Sequence, residues 1–107
     1  MDSAAGMKLL VIVANAGFAE EIVETARGEG ARGATILNAR GEGSHHKSLM
    51  GITVDTEKEM ILCIVDETTA KRAMETVSEK MGINTPSHCV CFIMPIEKTV
   101  GLSAPNP

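Results

Sequence analysis

The residues between Gly28 and Gly43 carry the clearest ligand-binding pattern in this sequence. Five of the chain's ten glycines fall in this stretch, and Arg32 and Arg40 lie near the two ends of its apolar segment, 34–39. Glycine lets the backbone approach a ligand closely, and successive backbone N–H groups beside a guanidinium suit an anion such as a phosphate. The same glycines could instead end a helix and form a turn. Spacing alone leaves both interpretations open.

Histidine and cysteine side chains offer a second kind of chemistry, a soft metal site, because imidazole and thiolate are the usual ligands of zinc. The candidate ligands are His45, His46, His88, Cys89 and Cys91. Adjacent histidines cannot easily bind one ion, and the two nearby cysteines share one strand face. We therefore expect no metal.

A cysteine nucleophile is the corresponding enzyme hypothesis, with Cys63 or Cys89 activated by His88. No oxyanion-binding device or orienting acid accompanies these residues, so we expect that the protein is not an enzyme. The three cysteines are an odd number and lie in apolar runs. This pattern favours reduced, buried thiols over a disulfide framework.

Length, charge and hydropathy restrict the remaining classes. A chain of 107 residues is one domain, and its net charge of −4 with dispersed basic residues argues against a nucleic-acid partner. Leu9–Ala14, one of the longest unbroken apolar runs, is far shorter than the ~20 residues that span a bilayer. No cleavable signal pattern precedes it. We expect a cytoplasmic protein.

The first half of the chain predicts a strand, a helix and a second strand. The apolar run 8–14 is typical of a central strand. Asn15 is then the predicted N-cap of a helix that continues to about Arg27 and ends at glycines. Residues 34–40 alternate as a second strand does. Residues 41–54 are predicted to form an exposed, mobile loop, longer than a tight hairpin connection needs.

The second half predicts a strand over 59–65, a helix capped by Asp66 or Thr68, and a last strand over 89–94. The helix has one apolar stripe; its members are Ala70, Ala73, Met74, Val77 and Met81. This order is that of an α+β, ferredoxin-like βαββαβ antiparallel sheet with two helices on one face. The domain spans 1–107, with a core of about 7–99 and tails 1–6 and 100–107. The other sheet face stays bare, so we expect self-association.

With these elements placed, the chain from Met7 to about Thr99 resembles the PII signalling proteins. Residues 33–36, Gly-Ala-Thr-Ile, leading to Arg-Gly-Glu-Gly at 40–43, are similar to the family's Gly-x-Thr-Val strand and the basic-Gly-x-Gly start of its effector loop. Residues 58–65 resemble its third strand, Lys-x-x-Ile-x-Ile-Val-Val, and an acidic helix start follows in both. The fold order agrees as well.

The resemblance implies a homotrimer that binds an adenine nucleotide (ADP, ATP or AMP) between subunits. It also implies a regulatory loop that contacts a protein partner, for which we expect a membrane transporter. The residues carried over to the nucleotide site are Thr35, Arg40, Gly41, Glu42, Gly43, Ile64, Ser87, His88 and Cys89. Those assigned to the partner-contacting loop are Ser44, His45, His46 and Lys47. The alternative function is a trimeric metal-binding protein that uses the histidines and cysteines.

Two departures mark an atypical branch. The family's phosphate-binding Gly-x-Gly-Lys is replaced by residues 84–89, Asn-Thr-Pro-Ser-His-Cys, and the basic residues after the last strand are reduced to Lys98. A mono- or diphosphate is therefore as plausible a ligand as a triphosphate. The chain also contains no Tyr for uridylylation and no Gln for magnesium and 2-oxoglutarate.

Overall fold

The computed structural model describes residues 6–41, 47–49, 52–54 and 56–102, with only the backbone of 47–49, 52–54 and 56. The elements are β1 (Met7–Asn15), α1 (Ala19–Gly28), β2 (Thr35–Gly41), β3 (Lys47–Leu49), β4 (Ile52–Val54), β5 (Thr56–Asp66), α2 (Glu67–Met81) and β6 (Val90–Pro95). Within this part of the chain, four strands form one antiparallel sheet in the order β2-β5-β1-β6. The predicted α+β, ferredoxin-like fold is confirmed.

Both helices cover one face of this sheet. Every second residue of β1 and β5 faces them, and Leu10, Ile12 and Ile61 are fully buried in the resulting core. The apolar stripe of α2 faces the sheet as predicted: Ala70, Ala73, Val77 and Met81 are buried and Met74 is half-buried. Burial of apolar side chains is the main source of stability for such a two-layer arrangement.

Helix α2 begins as the sequence predicts. Asp66 is its N-cap, and the carboxylate accepts a hydrogen bond of 2.7 Å from the backbone N–H of Thr69. This bond satisfies one of the amide groups that have no partner within the first turn. It also holds the pKa of Asp66 below its ordinary value.

The predicted N-cap of α1 is wrong. Asn15 is the last residue of β1, and α1 begins at Ala19 after Phe18, which makes no side-chain cap. A turn separates the two elements, and Gly17 adopts the left-handed φ of 104° that this turn requires. Because the Asn15 carboxamide already bonds Lys58 and Pro86, it has another structural role.

The segment 41–54, predicted as an exposed, mobile loop, contains two short strands among its described residues. Strands β3 and β4 pair as a separate antiparallel ribbon, with Ser48 opposite Thr53. The β-branched residues at 52–54 favour an extended backbone. Strand β5 begins at Thr56, three residues before the predicted start, because Thr56 pairs directly with Gly41 of β2.

No helix among the described residues has the length and apolar character that crossing a membrane would need.

Candidate functional site

The sheet face opposite the helices is apolar across all four strands. The pairing of β2, β5, β1 and β6 places alternate residues of each strand on this helix-free face. Its large exposed side chains are Leu37, Ile64, Val90, Phe92 and Met94, each 39–49 % exposed. Among the described residues no second layer covers them, so the face is available for contact with another chain.

Thr35 and Ile64 lie together at one end of this face. Thr35 is paired with Leu62, and Ile64 is two residues further along β5 on the same face. Such diagonal neighbours are within reach of one ligand. Both side chains are exposed, so this end offers a hydroxyl group beside an apolar surface.

Arg40 and Gly41 lie at the other end of β2. Arg40 is five positions after Thr35 in β2, which corresponds to about 17 Å along a strand. The odd spacing also directs the two side chains to opposite faces of the sheet. The structure therefore separates Thr35 from Arg40 rather than bringing the two residues together.

Ser87, His88 and Cys89 belong to the turn that joins α2 to β6, at the same end of the sheet as Gly41. The side chains of Ser87 and Cys89 are buried, with exposures of 2 % and 3 %. The Ser87 hydroxyl donates to the Met81 carbonyl at 2.9 Å and contacts the Thr85 hydroxyl. The Ser87 side chain thus caps the end of α2, and a ligand at this turn would meet backbone and the exposed His88.

The turn is closed by its own hydrogen bonds. The backbone N–H groups of Thr85, His88 and Cys89 donate to carbonyls of Gly82, Thr85 and Met81. His88 adopts a φ of 47°, a conformation that favours glycine, and its ring Nδ1 lies 2.9 Å from the Ile83 carbonyl oxygen. These three amide groups are therefore already committed within the turn.

Lys58 and Asn15 connect this turn to the start of the 41–54 segment. They are paired across β1 and β5, and the Lys58 ammonium donates to Asn15 Oδ1 at 2.7 Å. Asn15 Nδ2 in turn donates to the Pro86 carbonyl at 2.8 Å. The methylene groups of Lys58 pass directly over Gly41. A cation is thereby held on the helix-free face beside Gly41.

Sequence reasoning misses Lys58 and Asn15 as site residues. The sequence pattern marks Lys58 only as part of a strand motif, and it predicts Asn15 as a helix cap. Strand alternation contains the necessary signal, since both residues fall on the helix-free side once the ladder is aligned. The alignment itself depends on the length of β1, which the sequence pattern underestimates.

The remaining predicted residues lie largely outside the described part of the chain. Glu42, Gly43, Ser44, His45 and His46 are not described, and Lys47 is described only through its backbone in β3. Among the described residues, no three His, Cys, Asp or Glu side chains form a group that could hold a metal ion.

The three cysteines lack the lowered pKa that an activated nucleophilic thiol has. Burial raises the pKa of Cys63 and of Cys89, and burial together with the neighbouring Cys89 raises the pKa of Cys91 to about 11. All three are free thiols. Because the thiolate is the reactive form, such values make these residues inert at neutral pH.

An open groove of about 270 Å³ lies on the helix side of the sheet, between α1 and β2. It is lined by Glu20, Val23, Glu24, Arg27 and Ile36. None of the predicted site residues lines this groove, and its acidic side chains do not suit an anion.

The chain matches the nitrogen regulatory protein P-II family over residues 7–104. A PII-like signaling protein of Thermus thermophilus is 28 % identical, with a TM-score of 0.63, and the match covers 81 % of this chain and 83 % of that one. No match was found among curated proteins.

Two further solved structures share the fold at lower identity. CPII of Thiomonas intermedia K12, a nitrogen regulatory PII-like protein bound to ADP, AMP and bicarbonate, is 21 % identical with a TM-score of 0.66, covering 90 % of this chain and 96 % of that one. The B. subtilis GlnK–ATP complex is 18 % identical with a TM-score of 0.69, covering 88 % and 87 %.

Proposed function

Since this chain belongs to the nitrogen regulatory protein P-II family, we propose that it is a non-enzymatic regulator that binds an adenine nucleotide between the subunits of a homotrimer. The nucleotide is ADP, ATP or AMP. Residues 41–54 present a nucleotide-dependent surface to a protein partner, a membrane transporter. The protein acts in the cytoplasm and is recruited to the membrane through that partner.

The helix-free face is the observation that carries this proposal. Fully burying one large apolar side chain contributes about 1.5–3 kcal/mol. Five such side chains, each 39–49 % exposed, converge on this one face. Packing three copies of the face inward would remove them from water, and this is the physical reason to expect a closed oligomer.

The spacing of the candidate ligand groups supports a site between subunits. Ile64 and Lys58 lie on the same face of β5, six residues apart, which corresponds to about 20 Å. AMP, the shortest of the three proposed ligands, is too short to reach from one end to the other within one chain, so a site that accepts all three lies between subunits. We therefore assign the base to Thr35 and Ile64 of one subunit and the phosphate to Lys58 and Gly41 of its neighbour.

The chemistry of the two ends suits the two parts of a nucleotide. Ile64 and Leu37 provide an apolar surface for a flat base, and Thr35 adds a hydroxyl group for its polar edge. At the other end, the Lys58 ammonium supplies a charge-assisted hydrogen bond to an anion. Two solved structures with the same fold are complexes with ADP and AMP and with ATP, which supports an adenine nucleotide as the ligand.

The regulatory step depends on whether the bound nucleotide favours one conformation of residues 41–54 over the others. A nucleotide shifts this segment only by its differential affinity for the segment's alternative conformations. Contacts at Gly41 and Lys58 are therefore more important for the switch than total affinity. A ligand held there touches both the sheet and the first residue of the segment.

Hydrogen exchange of the full chain, with and without saturating ADP, tests the switch. We expect protection of residues 41–54 to rise, and the unfolding midpoint to rise with AMP, ADP or ATP because each binds the native state. Adenosine is the matched ligand that lacks phosphate. A bound nucleotide that leaves protection of 41–54 unchanged would refute the switch, and no midpoint shift with any of the three would refute the nucleotide site.

Recovery of the partner from detergent-solubilised membranes tests the second half of the proposal. We expect a transport protein to be retained on the immobilised chain in a manner that changes with ADP. His45→Ala should bind ADP normally but alter this retention. If the wild type and His45→Ala retained the same amount of transporter, with and without ADP, the role assigned to residues 41–54 would be contradicted.

A further inference from the structure

The Asn15 side chain is bonded at both ends. Its Oδ1 accepts from Lys58 Nζ at 2.7 Å, and its Nδ2 donates to the Pro86 carbonyl at 2.8 Å. The Asn15 backbone N–H also donates to the Ser87 carbonyl at 2.9 Å. Because only the amide nitrogen can donate to Pro86 and only the oxygen can accept from Lys58, these partners fix the orientation of the carboxamide.

Lys58 is the cation that this arrangement places. Its side chain is half-buried and runs over Gly41, where a β-carbon would lie 2.7 Å from the lysine Cε. A free lysine side chain samples many rotamers and loses that freedom when it binds a ligand. The Lys58 side chain, already confined by Gly41 beneath it and by Asn15 at its ammonium, loses less conformational entropy when it binds a ligand.

Among the described residues, the hydrogen-bond partner of the Lys58 ammonium is neutral, the carboxamide oxygen of Asn15. By contrast, the Lys8 and Lys71 ammonium groups both contact the carboxylate of Glu67, at 3.9 and 3.2 Å. A carboxylate partner neutralises most of the field of a lysine, whereas an amide oxygen orients the ammonium and leaves its charge for an incoming anion. The Lys58 ammonium on the helix-free face is thus both held in one orientation and able to attract an anion.

We propose that Asn15 is a positioning residue that presents the Lys58 ammonium to the phosphate of the bound nucleotide. This inference rests on the proposed nucleotide function. Asn15 does not contact the ligand. It acts through its hydrogen bond to Lys58. Its second hydrogen bond, to the Pro86 carbonyl, fixes the ammonium relative to the turn that follows α2.

The identity of residue 15 is then a determinant of anion affinity. Asn15→Ala removes the support and leaves Lys58 charged but mobile. Asn15→Asp retains an acceptor for the ammonium but loses the donor to Pro86 and adds a negative charge directly beside it. An anionic ligand should be disfavoured more by the aspartate than by the alanine, whereas a neutral ligand should respond to neither.

Calorimetric titration with ADP and with adenosine tests this ordering. We expect ADP affinity to fall about three- to tenfold in Asn15→Ala and further in Asn15→Asp, with adenosine affinity unchanged. In the Lys58→Gln background, Asn15→Ala should have little additional effect. Thr85→Val is the matched structural control, because it removes the 2.8 Å bond to the Gly82 carbonyl in the same turn without touching Asn15 or Lys58.

Amine labelling of Lys58 in the ligand-free protein provides a readout that does not depend on nucleotide binding. With a limiting amine-reactive reagent and peptide mass spectrometry, Asn15→Ala should raise the labelling rate of Lys58 about threefold or more relative to Lys71. Thr85→Val should leave the Lys58-to-Lys71 labelling ratio unchanged. If loosening of the turn alone exposed Lys58, Thr85→Val would raise this ratio as well.

The outcomes separate the two proposals. Equal Lys58 labelling in the wild type and Asn15→Ala would overturn the placement of Lys58 by Asn15. Wild-type ADP binding that is unaffected by both Asn15 substitutions would overturn its role in ligand affinity. If the wild type bound no ADP, the proposed function would fail, and the labelling ratio alone would decide whether Asn15 positions Lys58.

Discussion

A β-carbon placed on Gly41 would lie 2.7 Å from Cε and 3.1 Å from Cγ of Lys58. The two residues are diagonal neighbours on β2 and β5, and the lysine methylene groups occupy the space that any side chain at position 41 would need. The glycine is therefore required by the path of Lys58 and not by its own backbone conformation.

Gly41→Ala should displace the Lys58 side chain. Because the clash is with a flexible chain and not with backbone, we expect only a small change in the free energy of unfolding, within about 1 kcal/mol. ADP affinity should fall several-fold, since the ammonium moves from its position beside Asn15. Gly33→Ala is the matched control, because a β-carbon at that position would meet nothing within 4 Å. Equal ADP affinity of both variants would contradict the placement of the phosphate at Gly41.

Leu37→Lys should disrupt the homotrimer. Leu37 is 43 % exposed and lies on the helix-free face, whereas its neighbour Ile36 is 46 % exposed and lies on the helix side. A lysine at 37 would place a charge in the proposed interface, and desolvating it there is costly. Light scattering after size exclusion should give three chains for the wild type and for Ile36→Lys, and fewer for Leu37→Lys. A monomeric wild type at micromolar concentration would exclude the trimer.

Thr35→Ala should weaken nucleotide binding about tenfold, because it removes a polar contact to the base and leaves that group of the ligand unsatisfied. Arg40→Ala should have a smaller effect than Thr35→Ala, because the Arg40 side chain points to the helix side of β2 whereas Lys58 and Gly41 lie on the opposite face. Asn38→Ala, an exposed position on the helix side of the same strand, should bind normally. Isothermal titration with ADP measures all three. Wild-type ADP affinity in Thr35→Ala would contradict the assignment of the base to this end of the sheet.

The three thiols should make the protein less stable in alkaline solution. Their pKa values are raised in the folded state, to about 11 for Cys91. Their contribution to stability is complete below the ordinary thiol pKa of about 8.5 and is lost as the pH rises through the folded values. Denaturant titrations at pH 8 and pH 10 should show this loss, and Cys91→Ala should reduce it.

Alkylation gives an independent check of the same thiols. At pH 8 a thiol with a pKa of about 11 is only about 0.1 % thiolate, so iodoacetamide should modify Cys91 slowly until denaturant is added. Rapid modification of any one thiol in the native protein would show that it is accessible and ionised.

Removal of metal ions should leave the unfolding midpoint unchanged. The expectation rests on the unfavourable spacing of the candidate histidine and cysteine ligands, one of which, Cys89, is buried in the core. Thermal unfolding with and without EDTA measures it. A large loss of stability, as occurs where metal binding drives folding, would favour the metal-binding alternative.

The fold is largely predictable because its signals are local. The apolar run of β1, the stripe of α2 and the Asp66 cap each depend on spacing within one element, and all three are present in the structure. The end of β1 is not predictable, because Asn15 is a good cap by type and only its ladder partner Lys58 shows that the strand continues.

The candidate site is less predictable because it depends on long-range pairing. Neither Asn15 nor Lys58 has a distinctive local pattern, and their contact joins positions 43 residues apart. Ser87 presents the reverse case. Its residue type suits a phosphate contact, but its hydroxyl is buried against the end of α2. A hydroxyl in a sequence motif does not reveal whether a helix terminus already uses it.

The pairing of Gly41 with Thr56 has a consequence for how this chain can diversify. These residues face each other in the β2–β5 ladder, so the two ends of the 42–55 segment are held one strand spacing apart by the sheet itself. The stem of the hairpin is complete without the segment, and a tight two-residue turn could close it. Insertions, deletions and replacements within 42–55 should therefore leave the four-stranded sheet intact, so this segment can change its target while the rest of the domain stays the same.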